Sequence, residues 1–253
     1  MKKIFCLACL SFREAVREKF FFGAIFFFFF YLGFCALLSK LSVGYSLKVL
    51  QDAGFIGIEL TAVVLVVFSF VTSFFKEKET SLLQVYLSNF KPREVIIGKI
   101  LGYVALSFLY LILSSIFFGL VSVLHAGFTP QALVALYPVF LKTVIIIGFA
   151  SLFSALFSSS TLALLATLFI YLSSEALPSA LVIVGAYGGL FQKGFLRAVY
   201  FMLPQADKFE ISNRIFYSSA PGLSYFFWIT LYSIIYAFIL WIINLFIFQK
   251  NEY

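Results

Sequence analysis

The sequence has 253 residues, of which 63% are hydrophobic and only 11% are charged. Soluble domains carry roughly 25% charged residues, so this composition excludes a soluble globular protein and predicts an integral membrane protein without a sizeable soluble domain. The net charge of +7 does not indicate nucleic-acid binding, because the basic residues flank apolar stretches, which is typical of a membrane topology signal.

Residues 1–19 predict an amphipathic helix that lies in the membrane surface. Basic residues such as Lys3, Arg13 and Arg17 form one side of this helix, which suits contact with anionic lipid headgroups. The opposite, apolar face contains Ile4, Phe5, Ala8, Phe12, Ala15 and Val16.

Six apolar stretches follow, and each is near or above the roughly 20 residues that a bilayer core requires. The predicted spans are 20–38, 54–75, 96–124, 131–157, 161–184 and 224–248. Six spans place both termini on one side, and eleven Lys and Arg residues fall on that side against six on the other. The positive-inside rule therefore places both termini in the cytoplasm. We predict an all-α, polytopic membrane protein with a single transmembrane domain over 1–253.

The segment 76–95 is the longest charged interruption between these spans. Four charged residues, 76–79, end an apolar run, and residues 91–94 turn the chain into the next span. Between them, apolar side chains recur at helical spacing and predict a short surface helix between spans two and three. These residues are Leu82, Leu83, Tyr86 and Phe90. The alternative interpretation is an ordinary loop held at the membrane surface by its basic residues.

The segment 185–223 predicts a second surface helix, on the outer side between spans five and six. Glycines Gly185, Gly188 and Gly189 are expected to end span five just before it. An interfacial or re-entrant helix there could act as an outer gate or as a static cap. The helical pattern is formed by Leu190, Phe191, Phe195, Leu196, Val199 and Tyr200.

Two charged residues fall inside predicted spans. Lys142 in span four and Glu175 in span five lie at similar depths, so we expect them to pair or to share a polar cavity, because an unpaired charge there is costly. Such a pair could belong to a translocation route, or it could be purely structural. Glu59 lies near the predicted start of span two and is expected to reach the outer interface.

The sequence predicts no catalytic or metal site on this chain. Cys6 and Cys9 form a CxxC without a second ligand pair, and His125 is the only histidine, so no nucleophile–histidine–acid set can be built. The phosphate-binding pattern GxxxxGK[ST] is also absent, so the chain is not expected to hydrolyse ATP or to hold a cofactor.

Two sequence patterns carry a resemblance to a known family. The first runs through Glu77 and Glu79, SLLQVYLS (81–88), Pro92, Arg93, Glu94 and GKILG (98–102), and the second is LPQADKFEISN (203–213). With the six spans and the surface helices, they resemble the permease subunit of ABC-2 type (type V fold) ABC transporters. The resemblance covers nearly the whole chain by topology and about forty residues by motif.

The resemblance implies an exporter subunit in the inner membrane of a prokaryote. Two copies of a separate ATPase, which bind ATP and Mg²⁺, would contact a coupling helix in 76–94, and two permease chains, identical or different, would form the pathway. An outer accessory protein is a further partner in some assemblies. The implied coupling residues are Glu77, Glu79, Leu82, Leu83, Tyr86, Phe90, Arg93, Glu94 and Lys99. The implied pathway-lining residues in spans two and five are Val63, Val67, Phe70, Leu165, Phe169 and Leu172.

Two other functions remain open at this point. The same ATP-driven coupling could serve a membrane anchor that transmits force to an outer partner without transport. An ATP-independent, ion-coupled carrier or scramblase could instead use Lys142 and Glu175. Carriers often contain internal repeats with broken helices, and no convincing repeat is visible in this sequence.

Overall fold

A computed structural model describes residues 2–41, 46–125, 131–187, 189–210 and 222–250. Within these ranges the chain forms nine α-helices, one short 3₁₀ turn (Ala206–Lys208) and no strand. The helices are α1 (Lys2–Arg17), α2 (Lys19–Leu41), α3 (Ser46–Glu79), α4 (Leu82–Asn89), α5 (Pro92–His125), α6 (Gln131–Leu156), α7 (Ser160–Tyr187), α8 (Leu190–Met202) and α9 (Leu223–Lys250).

Six of the described helices, α2, α3, α5, α6, α7 and α9, are long and apolar enough to cross a membrane. This confirms the prediction of an all-helical chain with six helices of membrane-spanning length. The inner helices are α3 and α6. In each of them 72% of the most apolar 18-residue segment is buried, against 17–33% in the other four helices. Apolar side chains on those outer helices therefore face the surroundings of the bundle, where a bilayer would lie.

The helices α3 and α5 extend beyond their predicted bounds. Each has 34 residues, which corresponds to a length of about 51 Å, whereas a bilayer core is about 30 Å thick. The charged residues 76–79 continue α3 instead of ending it, because Lys and Glu are good helix formers. The helix stops only where Ser81 adopts a left-handed backbone with φ of 57°. Likewise Gly185 does not end α7, which continues to Tyr187.

The first helix packs along the start of α5. A Cβ atom on Gly98 would lie 2.6 Å from the Leu7 Cβ atom, and one on Gly102 would lie 2.8 Å from the Ala8 carbonyl oxygen. These two glycines, four residues apart, therefore let the two helix backbones approach closely. The buried face of α1 is Leu7, Ser11 and Ala15, which shares only one residue with the predicted apolar face.

The short helix α4 joins α3 to α5 and is separated from both by a break in the backbone. Ser81 forms the first break, and the extended backbone of Phe90 forms the second. The Lys91 amide donates a hydrogen bond of 3.1 Å to the Glu94 carboxylate, which caps the start of α5. At the other end of the bundle, α8 follows α7 and packs on it.

Candidate functional site

A cluster of three charged side chains lies inside the bundle between α3, α6 and α7. The Lys142 ammonium donates a hydrogen bond to the Glu59 carboxylate and forms an ion pair with the Glu175 carboxylate. The Tyr171 hydroxyl donates to the same Glu59 oxygen at 3.4 Å. The Lys142 side chain is only 7% exposed, against 22% for Glu59 and 33% for Glu175. We call Glu59, Lys142 and Glu175 the charged triad.

The triad forms because its members lie at the same level of three neighbouring helices. Glu59 follows the start of α3, Lys142 follows the start of α6 and Glu175 precedes the end of α7, each by about three to four helical turns. The prediction that Glu59 reaches the outer interface is wrong, since α3 begins at Ser46 and not at 54. Glu59 is therefore the triad member that the sequence prediction missed. Had span two been predicted to begin near residue 46, Glu59 would have been placed deep inside that span.

The chemistry of the triad follows from its charge count. Two carboxylates share one ammonium, so a fully ionised triad carries one negative charge in a poorly solvated place. Such a charge is costly unless a proton or a cation neutralises it. A narrow cavity beside Lys142 is closed by the chain after α8, through Pro204, Ala206 and Phe209. The triad can therefore hold three helices together, and it can also bind a proton.

A second pair of buried charges joins α3 to α5 near α4. The Lys99 ammonium lies 2.5 Å from the Glu77 carboxylate, and the two side chains are only 6% and 7% exposed. The ammonium also lies 5.0 Å from the centre of the Phe74 ring, within range of a cation–π interaction. Both side chains are engaged with each other inside the chain, and their predicted role as coupling residues stays a prediction. We call Glu77 and Lys99 the basal pair.

The remaining predicted coupling residues divide into an exposed set and a packed set. Glu79, Leu82 and Arg93 are exposed around α4. In contrast, Tyr86 and Phe90 are half-buried against the apolar core. Burial and the charges of Glu77 and Glu14 raise the pKa of the Tyr86 phenol. Glu94 is used in capping α5, and the side chain of Leu83 lies outside the described part of the chain.

Comparison with models of known protein families finds no match. Comparison with curated proteins finds none either.

A polar cavity of about 450 Å³ lies next to the basal pair, where α1 meets the end of α3. Near it, Ser69 donates a hydrogen bond of 2.6 Å to the Glu18 carboxylate. Burial raises the pKa of the Glu18 carboxyl group, and the hydrogen bond from Ser69 and the charge of Lys76 oppose that shift. The cavity is lined by Glu14, Arg17, Glu18, Lys19, Ser73, Lys76, Glu77, Thr80 and Leu82.

The predicted pathway-lining residues lie in two different environments. On α3, the side chains of Val63, Val67 and Phe70 are at most 2% exposed and belong to the apolar core of the chain. These three residues cannot line a surface between two chains, so that prediction is wrong for α3. On α7, the predicted residues face outward and are 59–70% exposed: Leu165, Phe169 and Leu172.

No metal site is visible among the residues that the structure describes. Nowhere in these ranges do three or more His, Cys, Asp or Glu side chains come together in a group that could hold a metal ion. Cys6 and Cys9 are exposed free thiols on α1, and Cys35 is a buried free thiol on α2.

Proposed function

We propose that this chain is the membrane-spanning subunit of an ATP-driven ABC exporter, which works as a dimer and is coupled to separate ATPase subunits through residues 76–94. In this proposal α1 and α4 lie on the cytoplasmic side and α8 lies on the outer side. The six helices of spanning length supply the membrane domain. The charge distribution of the sequence supports the orientation.

The observation that carries the proposal is the way α4 is attached. An eight-residue helix with exposed side chains is held between two 34-residue helices by the breaks at Ser81 and Phe90. Directly beside it, the basal pair ties α3 to α5, and the close contact at Gly98 ties α1 to α5. A push on α4 would therefore move α3 and α5 as a unit, because packed helices transmit displacement with little compression.

The contact with the ATPase is assigned to exposed residues of this region, while the basal pair acts as an internal brace. Glu79 and Arg93 offer charges on either side of α4, and Leu82 offers an apolar contact that is 44% exposed. A small apolar contact with charged residues at its edge is a common arrangement in protein interfaces. The exposed α7 face around Phe169 is assigned to the second permease chain or to lipid.

Site-specific photo-crosslinking in membranes of the native host tests this proposal. A benzophenone amino acid at Leu82 should capture an ATPase that contains a GxxxxGK[ST] loop, which mass spectrometry can identify. The same probe at Leu124, which is 79% exposed near the opposite end of α5, should not capture it. Glu79→Lys combined with Arg93→Glu should reduce the Leu82 adduct at least tenfold. If the probe at Leu82 never captures such an ATPase, the proposal fails.

The charged triad favours a second candidate function, a proton-coupled carrier that needs no ATPase. Two carboxylates and one ammonium inside a bundle can exchange a proton, which is typical of proton-driven transporters. Liposomes that contain the purified chain alone distinguish the two functions. A carrier should move protons when a substrate gradient is imposed, and Glu175→Gln should abolish that movement. An exporter subunit without its ATPase should move none.

A further inference from the structure

A cavity of about 400 Å³ lies between the last turns of α7 and the helix α8. Its volume falls in the range of small-molecule binding sites in proteins, about 300–1,000 Å³. The α7 wall is apolar, and the α8 wall carries two cationic side chains and a phenol. The lining residues are Leu181, Val184, Gly185, Lys193, Arg197, Tyr200 and Phe201.

The cationic residues of α8 lie on the side of the helix that lines the cavity, with Lys193 half-buried and Arg197 exposed. Lys193, Arg197 and Tyr200 recur at intervals of four and three residues, so they share one helix face, and all three line the cavity. Two large apolar side chains of α8 that do not line the cavity are highly exposed, Phe191 at 85% and Met202 at 79%. Two cations that line one cavity beside an apolar wall favour an anionic occupant, because an anion would offset their mutual repulsion.

The two cations lack an anionic partner among the residues that the structure describes. No ion pair of Lys193 or Arg197 is present there, and the nearby Asp207 carboxylate accepts hydrogen bonds of 2.8 and 3.0 Å from the Tyr200 hydroxyl. Two uncompensated positive charges beside the apolar residues Leu181 and Val184 favour binding of an anion with an apolar part.

We propose that this cavity binds the headgroup of an anionic phospholipid. The planar guanidinium of Arg197 would hold the phosphate through two hydrogen bonds, and the Lys193 ammonium would add a second charge. The acyl chains would leave the cavity past Leu181, Val184 and Phe201, of which Phe201 is 74% exposed on α8. A lipid is the occupant that fits, because the site combines cations with an apolar wall at a surface that is itself apolar.

This site is independent of the proposed coupling to an ATPase. It lies at the α8 end of the bundle, beyond the charged triad, whereas α4 lies at the other end. The lipid test below uses the isolated chain, so its failure would leave the export proposal untouched, and the reverse also holds.

Native mass spectrometry of the delipidated full chain tests the proposal. Phosphatidylglycerol should bind more tightly than phosphatidylcholine with the same acyl chains, and inorganic phosphate should not displace it. Each basic residue near an anionic lipid contributes a factor of about five, so Lys193→Gln with Arg197→Gln should weaken phosphatidylglycerol binding about 30-fold. The matched control, Lys2→Gln with Arg13→Gln, removes two exposed cations from α1 and should leave this high-affinity binding unchanged.

A second variant tests the cavity without changing any charge. A Cβ atom on Gly185 would meet no atom within 4 Å, so Gly185→Phe should fill the cavity without disturbing the helix. It should weaken phosphatidylglycerol binding at least tenfold, whereas Gly33→Phe, at an equally open glycine on α2, should not. Equal binding of the two lipids, displacement by inorganic phosphate, or unchanged binding to both the double variant and Gly185→Phe would overturn the proposal.

Discussion

Lys99 and Lys142, two buried lysines in the described part of the chain, are neutralised in different ways. Lys99 has one carboxylate partner, Glu77, and both side chains are almost fully buried. Lys142 shares two carboxylates, which are themselves partly exposed. The basal pair therefore has balanced charges and is almost fully buried, which suits a fixed brace, whereas the triad has one carboxylate more than its ammonium can neutralise. A buried charge arrangement with an excess carboxylate is the one that can exchange a proton.

Removal of the shared ammonium should give the largest effect. Lys142→Met leaves Glu59 and Glu175 close together without a cation, and we expect it to lower the free energy of unfolding by about 4 kcal/mol. Unfolding of the purified chain in increasing dodecyl sulfate measures this loss. Lys40→Met, at an exposed position on α2, should change the value by less than about 0.5 kcal/mol. A loss below about 1 kcal/mol for Lys142→Met would show that the triad is well hydrated.

Loss of one carboxylate should destabilise the basal pair more than the charged triad. Glu77→Gln removes the carboxylate that forms the ion pair with Lys99, so we expect a loss of about 3 kcal/mol. Glu59→Gln still leaves Lys142 its partner Glu175, so we expect a loss of about 1 kcal/mol. The same dodecyl sulfate titration measures both variants. Equal losses would contradict the distinction between a pair and a triad, and Glu77→Gln combined with Lys99→Met should recover part of the larger loss.

The contact between α1 and α5 should be sensitive to side-chain size. Gly102→Leu would place its Cβ atom 2.8 Å from the Ala8 carbonyl oxygen and from the Ser11 Cβ atom, so α1 must move away. We expect a loss of about 2 kcal/mol, since overpacking typically costs about 1–3 kcal/mol. Thermal unfolding in detergent measures it. Gly33→Leu is the matched control, because its side chain would meet open space, and equal stability of the two variants would contradict the close packing.

The smallest effect concerns the pH dependence of stability near Glu18. Burial raises the pKa of this carboxyl group above its ordinary value of 4.5, so the folded chain binds the proton more tightly than the unfolded chain. The stability that this proton supports is therefore complete below pH 4.5 and is lost as the pH rises through the folded pKa.

Substitutions at Glu18 and Glu14 test the direction of this pH dependence of stability. The melting temperature of Glu18→Gln should rise relative to that of the native chain as the pH increases from 4.5 to 7. Glu14→Gln, at an exposed position on α1, removes a charge that helps to raise the Glu18 pKa, so it should reduce the pH dependence of stability without abolishing it. A constant difference between Glu18→Gln and the native chain would contradict the raised pKa.

The sequence by itself determined the class of protein and the number of long helices. Apolar stretches of about 20 residues are readable because a bilayer demands both their length and their composition. Apolar residues at helical spacing also fall in the two shorter helices α4 and α8, whose position at a membrane surface stays a prediction. The ends of α3 could not be predicted from the sequence. Lys and Glu are good helix formers, but they also mark the end of an apolar membrane span, so the charges at 76–79 fit both a helix that ends there and one that continues.

Only the tertiary structure decided which charges meet and which apolar residues are buried. The three members of the charged triad are far apart in the sequence: Glu59, Lys142 and Glu175. Their contact depends on how far α3, α6 and α7 are shifted relative to one another along their axes, and hydropathy does not encode that shift. The burial of Val63, Val67 and Phe70 depends on α3 lying at the centre of the bundle, yet in composition α3 resembles the outer helices. In a membrane protein, lipid-facing and core-facing surfaces are both apolar, so packing and not hydrophobicity separates them.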